Sequence, residues 1–251
     1  MFGVAGRRAL EERLPALRDQ LDADLCIVNG ENVADGAGIT PKLADALLRA
    51  GADVITLGNH TYRRDGIGEY LAASERVIRP ANSGAMTPGR GLAVVDARNG
   101  VRVAVLSLLG SLFLDTPVSP WEMVDALVDE AHAQTPVVVL DFHAEATSEK
   151  VAIATWLDGR VTAVIGTHTH VQTNDARVLP GGTATVTDAG MTGPHDSVIG
   201  VRAELAIRRM RTRLPVRFEP AEGGVRIEGV VVDCSAETGR ASGIELLRVA
   251  L

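Results

Sequence analysis

The chain lacks any apolar run long enough to cross a bilayer, and Arg7 and Arg8 are not followed by an apolar stretch with a small-residue cleavage site. Neither a membrane span nor a signal peptide is expected, so the protein reads as cytoplasmic, with no membrane partner. Cysteine is scarce: Cys26 and Cys234 are the only two. That excludes a disulfide framework and leaves Cys26, inside the apolar run LCIV, as a small buried hydrophobe. Positive charge is short as well. A net charge of −7 argues against a large nucleic-acid face, DNA included, because duplex affinity rests on neutralising phosphates. A small anionic substrate is compatible with it if metal ions supply local positive charge. Repeats, low-complexity stretches and linkers are also missing, so residues 1–251 are expected to form a single domain. What the chain does have is apolar content, 46% of 251 residues, enough to bury a large α/β core.

Apolar spacing sets out the elements. Leu10, Leu14, Leu17 and Leu21 mark one face of a helix over Arg7 to Leu21, kinked or restarted at Pro15. Asp24 to Val28 reads as a buried strand, and Thr40-Pro41 as the N-cap and first residue of a helix that stops at Gly51. A second strand, Asp53 to Leu57, a helix over Asp65 to Ala73 and a short strand at Val77-Ile78 follow. Asn99-Gly100 between two apolar runs predicts a hairpin over Gly91 to Leu109. A helix over Trp121 to Ala133 and a strand over Pro136 to Leu140 come next. Thr147 or Ser148 is expected to cap a helix ending before Gly159, and a strand begins at Val161. Arg177 to Asp188 reads as a hairpin through Pro180-Gly181-Gly182, Ala189 to Gly200 as a glycine-rich loop, Val201 to Leu214 as a helix, and the tail as a closing hairpin.

The polar residues fall where four of these strands end: Glu31 with Asn32, Asn59 with His60, His143, and His168 with His170. In open α/β sheets ligands bind beyond the carboxyl ends of the strands, so these residues are expected to converge. Within VTAVIGTHTHVQ, His168 and His170 would stand roughly 7 Å apart on one side of an extended strand end. That is wide for one small ion but suited to two ions about 3.5–4 Å apart, as in two-metal phosphoryl-transfer sites. Imidazoles, a carboxylate and carboxamides make a mixed N/O set suited to Mn, Fe or Zn and poor for Ca or Mg. Taken singly, Glu31 and Asn59 have an ordinary reading as loop caps and His143 as a core histidine. Agreement at four strand ends favours a shared site. Arg208, Arg209, Arg211, Arg213 and Arg217 read as a solvated face near a helix end. His195, Arg79, Asn82 and Asp188 are candidates for the substrate mouth only, and Trp121 and Trp156 read as core or groove aromatics.

The strings VNGENVADGAGIT, GADVITLGNHTY, IRPANSG with TPGRG, LDFHAEATSEK, AVIGTHTHVQT and TDAGMTGPHDSVIG resemble the YmdB family within the calcineurin-like metallophosphoesterases, from about Gly3 to the C-terminus. The resemblance implies an α/β fold, a four-layer αββα sandwich with mixed sheets. It also implies a di-metal phosphodiesterase, usually iron or manganese, acting on cyclic nucleotides such as 2′,3′-cyclic AMP. Carried over, it makes Glu31 the bridging carboxylate, gives Asn32 and His170 to the first metal, and Asn59, His143 and His168 to the second. His60 then resembles the family's proton donor to the leaving oxygen, with orienting a phosphate oxygen as its competing role. A metal-held hydroxide would attack phosphorus while both ions offset the growing charge.

Family members usually open with a buried strand and a Gly-Asp pair just before the segment that here reads FGVAGRR, and that aspartate normally binds the first metal. Both are missing before Met1-Phe2-Gly3. Either the start has been set too far downstream or this is a shortened form; the former is favoured, because a lost inner strand would leave apolar edge and backbone groups bare. The second metal site is expected complete and the first weakened. A phosphomonoesterase or nuclease using the same site, and a non-catalytic regulatory protein, stand as alternatives. A homo-oligomer is left open.

Overall fold

Short apolar strands separated by amphipathic helices fold here into two sheets that face each other, plus a terminal hairpin. The computed structural model describes residues 1–251. Its first part runs α1 (Gly3–Gln20), β1 (Ile27–Asn29), α2 (Pro41–Ala50), β2 (Val54–Thr56), α3 (Ile67–Ala73) and β3 (Val77–Ile78). The three strands form a parallel sheet in the order β1-β2-β3. The middle comprises β4 (Leu92–Asp96), β5 (Arg102–Leu109), α4 (Pro120–His132), β6 (Val138–His143), α5 (Thr147–Trp156), β7 (Ala163–Thr167), β8 (Arg177–Val178) and β9 (Ala184–Val186). Its strands make a mixed sheet ordered β4-β5-β6-β7-β9-β8, with β5, β6, β7 and β9 parallel and the two edges antiparallel. The last part, β10 (Gly193–Pro194), α6 (Ala203–Thr212), β11 (Val225–Cys234) and β12 (Ala241–Ala250), forms a third, antiparallel sheet.

Apolar burial explains the layering. Leu10 and Leu14 of α1, Leu47 of α2 and Leu71 of α3 cover the parallel sheet through Ile55 and Val77. Val124 and Val128 of α4 and Ile153 of α5 cover the mixed sheet through Leu106, Leu140 and Val164. Between the sheets, Val54 and Ile78 meet Val103, Val105 and Val137. β1 is an edge strand, and a mostly apolar cavity of about 520 Å³ is lined by Ile27 and Val28 together with Val105, Val139 and Val231. No helix is long and apolar enough to cross a membrane.

Several boundaries differ from the sequence expectation. The first helix starts at Gly3 and continues through Pro15 without restarting, since proline removes only one intrahelical donor while Leu10 and Leu14 stay buried on the same face. β6 runs past Leu140 to His143, because its polar Asp141 is buried with its carboxylate hydrogen-bonded rather than turned to solvent. Thr147 is the first residue of α5, whose N-cap is Ala146 with no side-chain hydrogen bond, so neither Thr147 nor Ser148 caps it. The segment Ala189 to Gly200 includes the short strand β10. Thr40 does cap α2, accepting from Leu43 N at 3.4 Å, and Gly51 closes it at φ 117°. Cys26 is half-buried, and Trp121 and Trp156 form an exposed edge-to-face pair with centroids 6.4 Å apart.

Candidate metal centre

The site forms where the carboxyl ends of strands from the two sheets meet. The parallel sheet contributes Glu31 and Asn32 after β1, and Asn59 and His60 after β2. The mixed sheet contributes His143 at the end of β6, and His168 and His170 just beyond β7. The four strand ends converge, and the edge they form is shared by two sheets. Asp141 ties them together, its Oδ2 accepting from Asn29 Nδ2 at 3.0 Å and from the Thr56 hydroxyl while Oδ1 accepts from Thr167 Oγ1 at 2.6 Å. Gly58 lets the sheets close, since a Cβ there would lie 2.4 Å from both Glu31 Oε2 and His143 Nε2.

His143 is the hub. Its Nδ1 lies 2.9 Å from Thr167 Oγ1. Because that hydroxyl donates to Asp141, it accepts from His143, which fixes the hydrogen on Nδ1. Nε2 then faces Asn59 Oδ1 at 3.0 Å, His168 Nδ1 at 3.1 Å and Glu31 Oε1 at 3.2 Å. His168 Nε2 pairs with Glu145 at 2.9 Å, so its Nδ1 presents a lone pair. Burial works to raise the Glu31 carboxyl, but the charge and hydrogen bond of His143, with His60 behind it, hold it well below the usual range. Burial lowers His143, and the Glu31 charge outweighs this and leaves its pKa raised. His168 is pushed down to about 4 by burial and by the charge of His143. A proton on His143 Nε2 therefore sits among three acceptors, the environment in which a divalent cation would replace it. Two nitrogens on one such ion at about 2.0–2.1 Å each would stand about 3 Å apart, close to the His143–His168 separation. These residues fit a metal, and ligand atoms of Glu31, His143 and His168 all lie within 4.8 Å of one another.

His168 and His170 do not continue an extended strand. Both have left-handed backbones, φ 101° and 66°, a conformation that costs non-glycine residues about 1–3 kcal/mol each. The turn sends the imidazoles to different partners. His168 faces His143, while His170, donating from Nδ1 to Ile199 O at 2.9 Å, presents Nε2 to Asn32 Nδ2 at 3.1 Å. The Asn32 amide also donates to Glu31 Oε1 at 3.0 Å, so it occupies the gap between Glu31 and His170. His60 hydrogen-bonds Glu31 Oε2 through its backbone N–H at 3.1 Å and Asn32 Oδ1 through Nδ1 at 2.7 Å. That leaves its Nε2 free, and burial lowers its pKa.

The four residues proposed for the substrate mouth are spent elsewhere. Arg79 donates to the carbonyls of Pro80, Ala81 and Thr87, and Asn82 bonds both backbone groups of Leu109. His195 lies 3.3 Å from the buried Glu228, and Asp188 is buried beside Lys150. Sequence reasoning passed over Asp141, Thr167 and Glu145, which set the histidine tautomers. Their one signal is position, within two residues of a candidate ligand on the same strand end.

Residues 1–247 match the family described as "YmdB-like protein". A protein of Bacillus subtilis (strain 168) named 2',3'-cyclic-nucleotide 2'-phosphodiesterase is 45% identical over 249 residues, 99% of this chain and 94% of that one. Among solved structures, a hypothetical protein from Thermus thermophilus superposes with a TM-score of 0.92 at 38% identity, over 99% of this chain and 96% of that one. A novel phosphatase from Mycoplasma pneumoniae gives 0.90 at 33%, over 99% and 90%.

Proposed function

Since the chain belongs to the YmdB-like family, we propose that it is a metal-dependent phosphodiesterase that hydrolyses cyclic nucleotides of the 2′,3′-cyclic AMP type. The observation that carries this is the ring of acceptors from both sheets around His143 Nε2. Glu31, Asn59, His143 and His168 would hold one ion, and Glu31, Asn32 and His170 the other. Iron or manganese suits this N/O set, with zinc also admissible. Divalent ions bound there would neutralise phosphate charge and supply a nucleophile from water. With the Asn32 amide lying between Glu31 and His170, the first position is the weaker of the two. The fold belongs to this reading as one domain, a four-layer αββα sandwich, working in the cytoplasm on a small phosphodiester.

His60 is assigned the proton for the departing oxygen. Its Nδ1 is committed to Asn32, so Nε2 is the atom that would give the proton. Because burial keeps its pKa low, it must be charged by the approach of the anionic substrate, whose negative field favours the imidazolium.

A second reading, phosphomonoester hydrolysis at the same site, is favoured by the likeness to the Mycoplasma phosphatase. Assays with added Mn²⁺ against a bis-aryl phosphodiester, an aryl monoester and a 2′,3′-cyclic nucleotide separate the two. Turnover of the cyclic nucleotide is expected; turnover of the monoester alone rejects the diesterase, and none at all leaves the protein a non-catalytic relative.

A further inference from the structure

Thr169 stands between the two imidazoles of the left-handed turn, and its polar groups are both committed. Its backbone N–H and its hydroxyl donate to Asp188 Oδ2, at 3.0 and 2.7 Å. The same oxygen receives Lys150 Nζ, from α5, at 3.1 Å, and Oδ1 receives the Gly190 N–H at 2.8 Å. Asp188 and Lys150 are 1% and 4% exposed. The backbone of Asp188 is pinned in turn, its N–H donating to Thr173 Oγ1 at 2.9 Å and its carbonyl accepting from Thr173 N at 3.1 Å. Where β7 and β9 end, packing leaves no slack: a Cβ on Gly166 would lie 1.9 Å from the Thr187 carbonyl oxygen and 3.1 Å from the Lys150 stem.

A buried ion pair is a poor stabiliser by itself, because desolvation offsets its attraction. This pair instead gathers four donors on one carboxylate, two of them from the single residue that joins His168 to His170. Both histidines keep φ values that side chains seldom adopt, and release of the Thr169 peptide would let either relax and swing its ring away from His143 or Asn32. We infer that Asp188, backed by Lys150, is a positioning residue for the metal centre: it clamps the Thr169 peptide and so fixes both imidazoles at once. The inference rests on the reading of this site as a metal centre.

The test is Mn²⁺ affinity, measured on the metal-free full chain by chelator competition for wild type, Thr169→Val, Thr169→Ser and Asp188→Asn, with thermal unfolding of each metal-free protein alongside. Loss of an outer-shell partner lowers metal affinity by about 10–100-fold, so Thr169→Val is expected to bind at least about tenfold more weakly. Thr169→Ser, which restores the hydroxyl, is expected to bind as wild type does, and Asp188→Asn to lose more than Thr169→Val. Thr169→Val alone decides the matter if Asp188→Asn does not fold. Unchanged Mn²⁺ affinity in Thr169→Val, with only the melting temperature lowered, overturns the clamp. Absence of Mn²⁺ uptake by wild type is a different result: it overturns the metal-centre reading, and the clamp falls with it.

Discussion

The proton on His143 Nε2, surrounded by acceptors, makes metal uptake a proton-releasing reaction wherever that proton is bound. Its pKa is raised by Glu31 against the pull of burial, so as pH falls a growing fraction of molecules carries this proton, which competes with the ion. Apparent Mn²⁺ affinity is expected to be flat above the His143 pKa and to fall by up to about tenfold per pH unit below it, with proton release visible in weakly buffered titrations. In the metal-free protein the same pair has a stability window. The His143 share is present below 6.5 and lost as pH rises through the raised value, while the Glu31 share is present above 4.5 and lost as pH falls through the lowered one. His60→Ala is expected to cut turnover by about 10²–10⁴-fold, the usual worth of a general acid, with metal content by mass spectrometry unchanged; loss of metal would give His60 a ligand's part instead. That the candidate ligands gather at one place was legible in the sequence because each follows an apolar run. Asp141, Thr167 and Glu145 were not, since the bonds that set the tautomers depend on how two distant strands register.

Within single elements, Gly58 shows how little room the turn after β2 leaves. Gly58→Ala would push a methyl between Glu31 and His143, an overpacking worth about 1–3 kcal/mol of stability. It is expected to fold, by circular dichroism, yet to lose Mn²⁺ binding. The Asn-Gly and Gly-Gly hairpins were legible because local turn chemistry determines them, and Gly100 and Gly182 do take φ of 80° and 96°. The end of β6 was not: a polar residue normally closes an apolar strand, and only the partners gathered across the sheets let Asp141 stay inside it. Nor was the turn through His168 and His170, because His-x-His in isolation is compatible with extended backbone.

Across the whole molecule, the candidate ligands come from both sheets, so binding an ion couples the two halves. At a free concentration 100 times the dissociation constant, a ligand adds about 2.7 kcal/mol, which at about 2–4 °C per kcal/mol raises the melting temperature by roughly 5–11 °C. Calorimetry with and without Mn²⁺ checks this; no rise would mean that no ion spans the sheets. That more than one sheet is present was legible only through the family resemblance, not through the apolar pattern, because a strand buried between sheets and one buried under a helix carry the same pattern. The terminal hairpin adds a constraint of timing. Gln172, two residues past His170, places its amide on the carbonyls of Gly229 and Leu247 at 2.9 and 3.0 Å. During synthesis, therefore, the loop bearing His168 and His170 must wait for the ribosome to release strand β12 before it acquires its final anchor, and a nascent polypeptide stalled short of that point would emerge with this candidate metal-binding loop still loose.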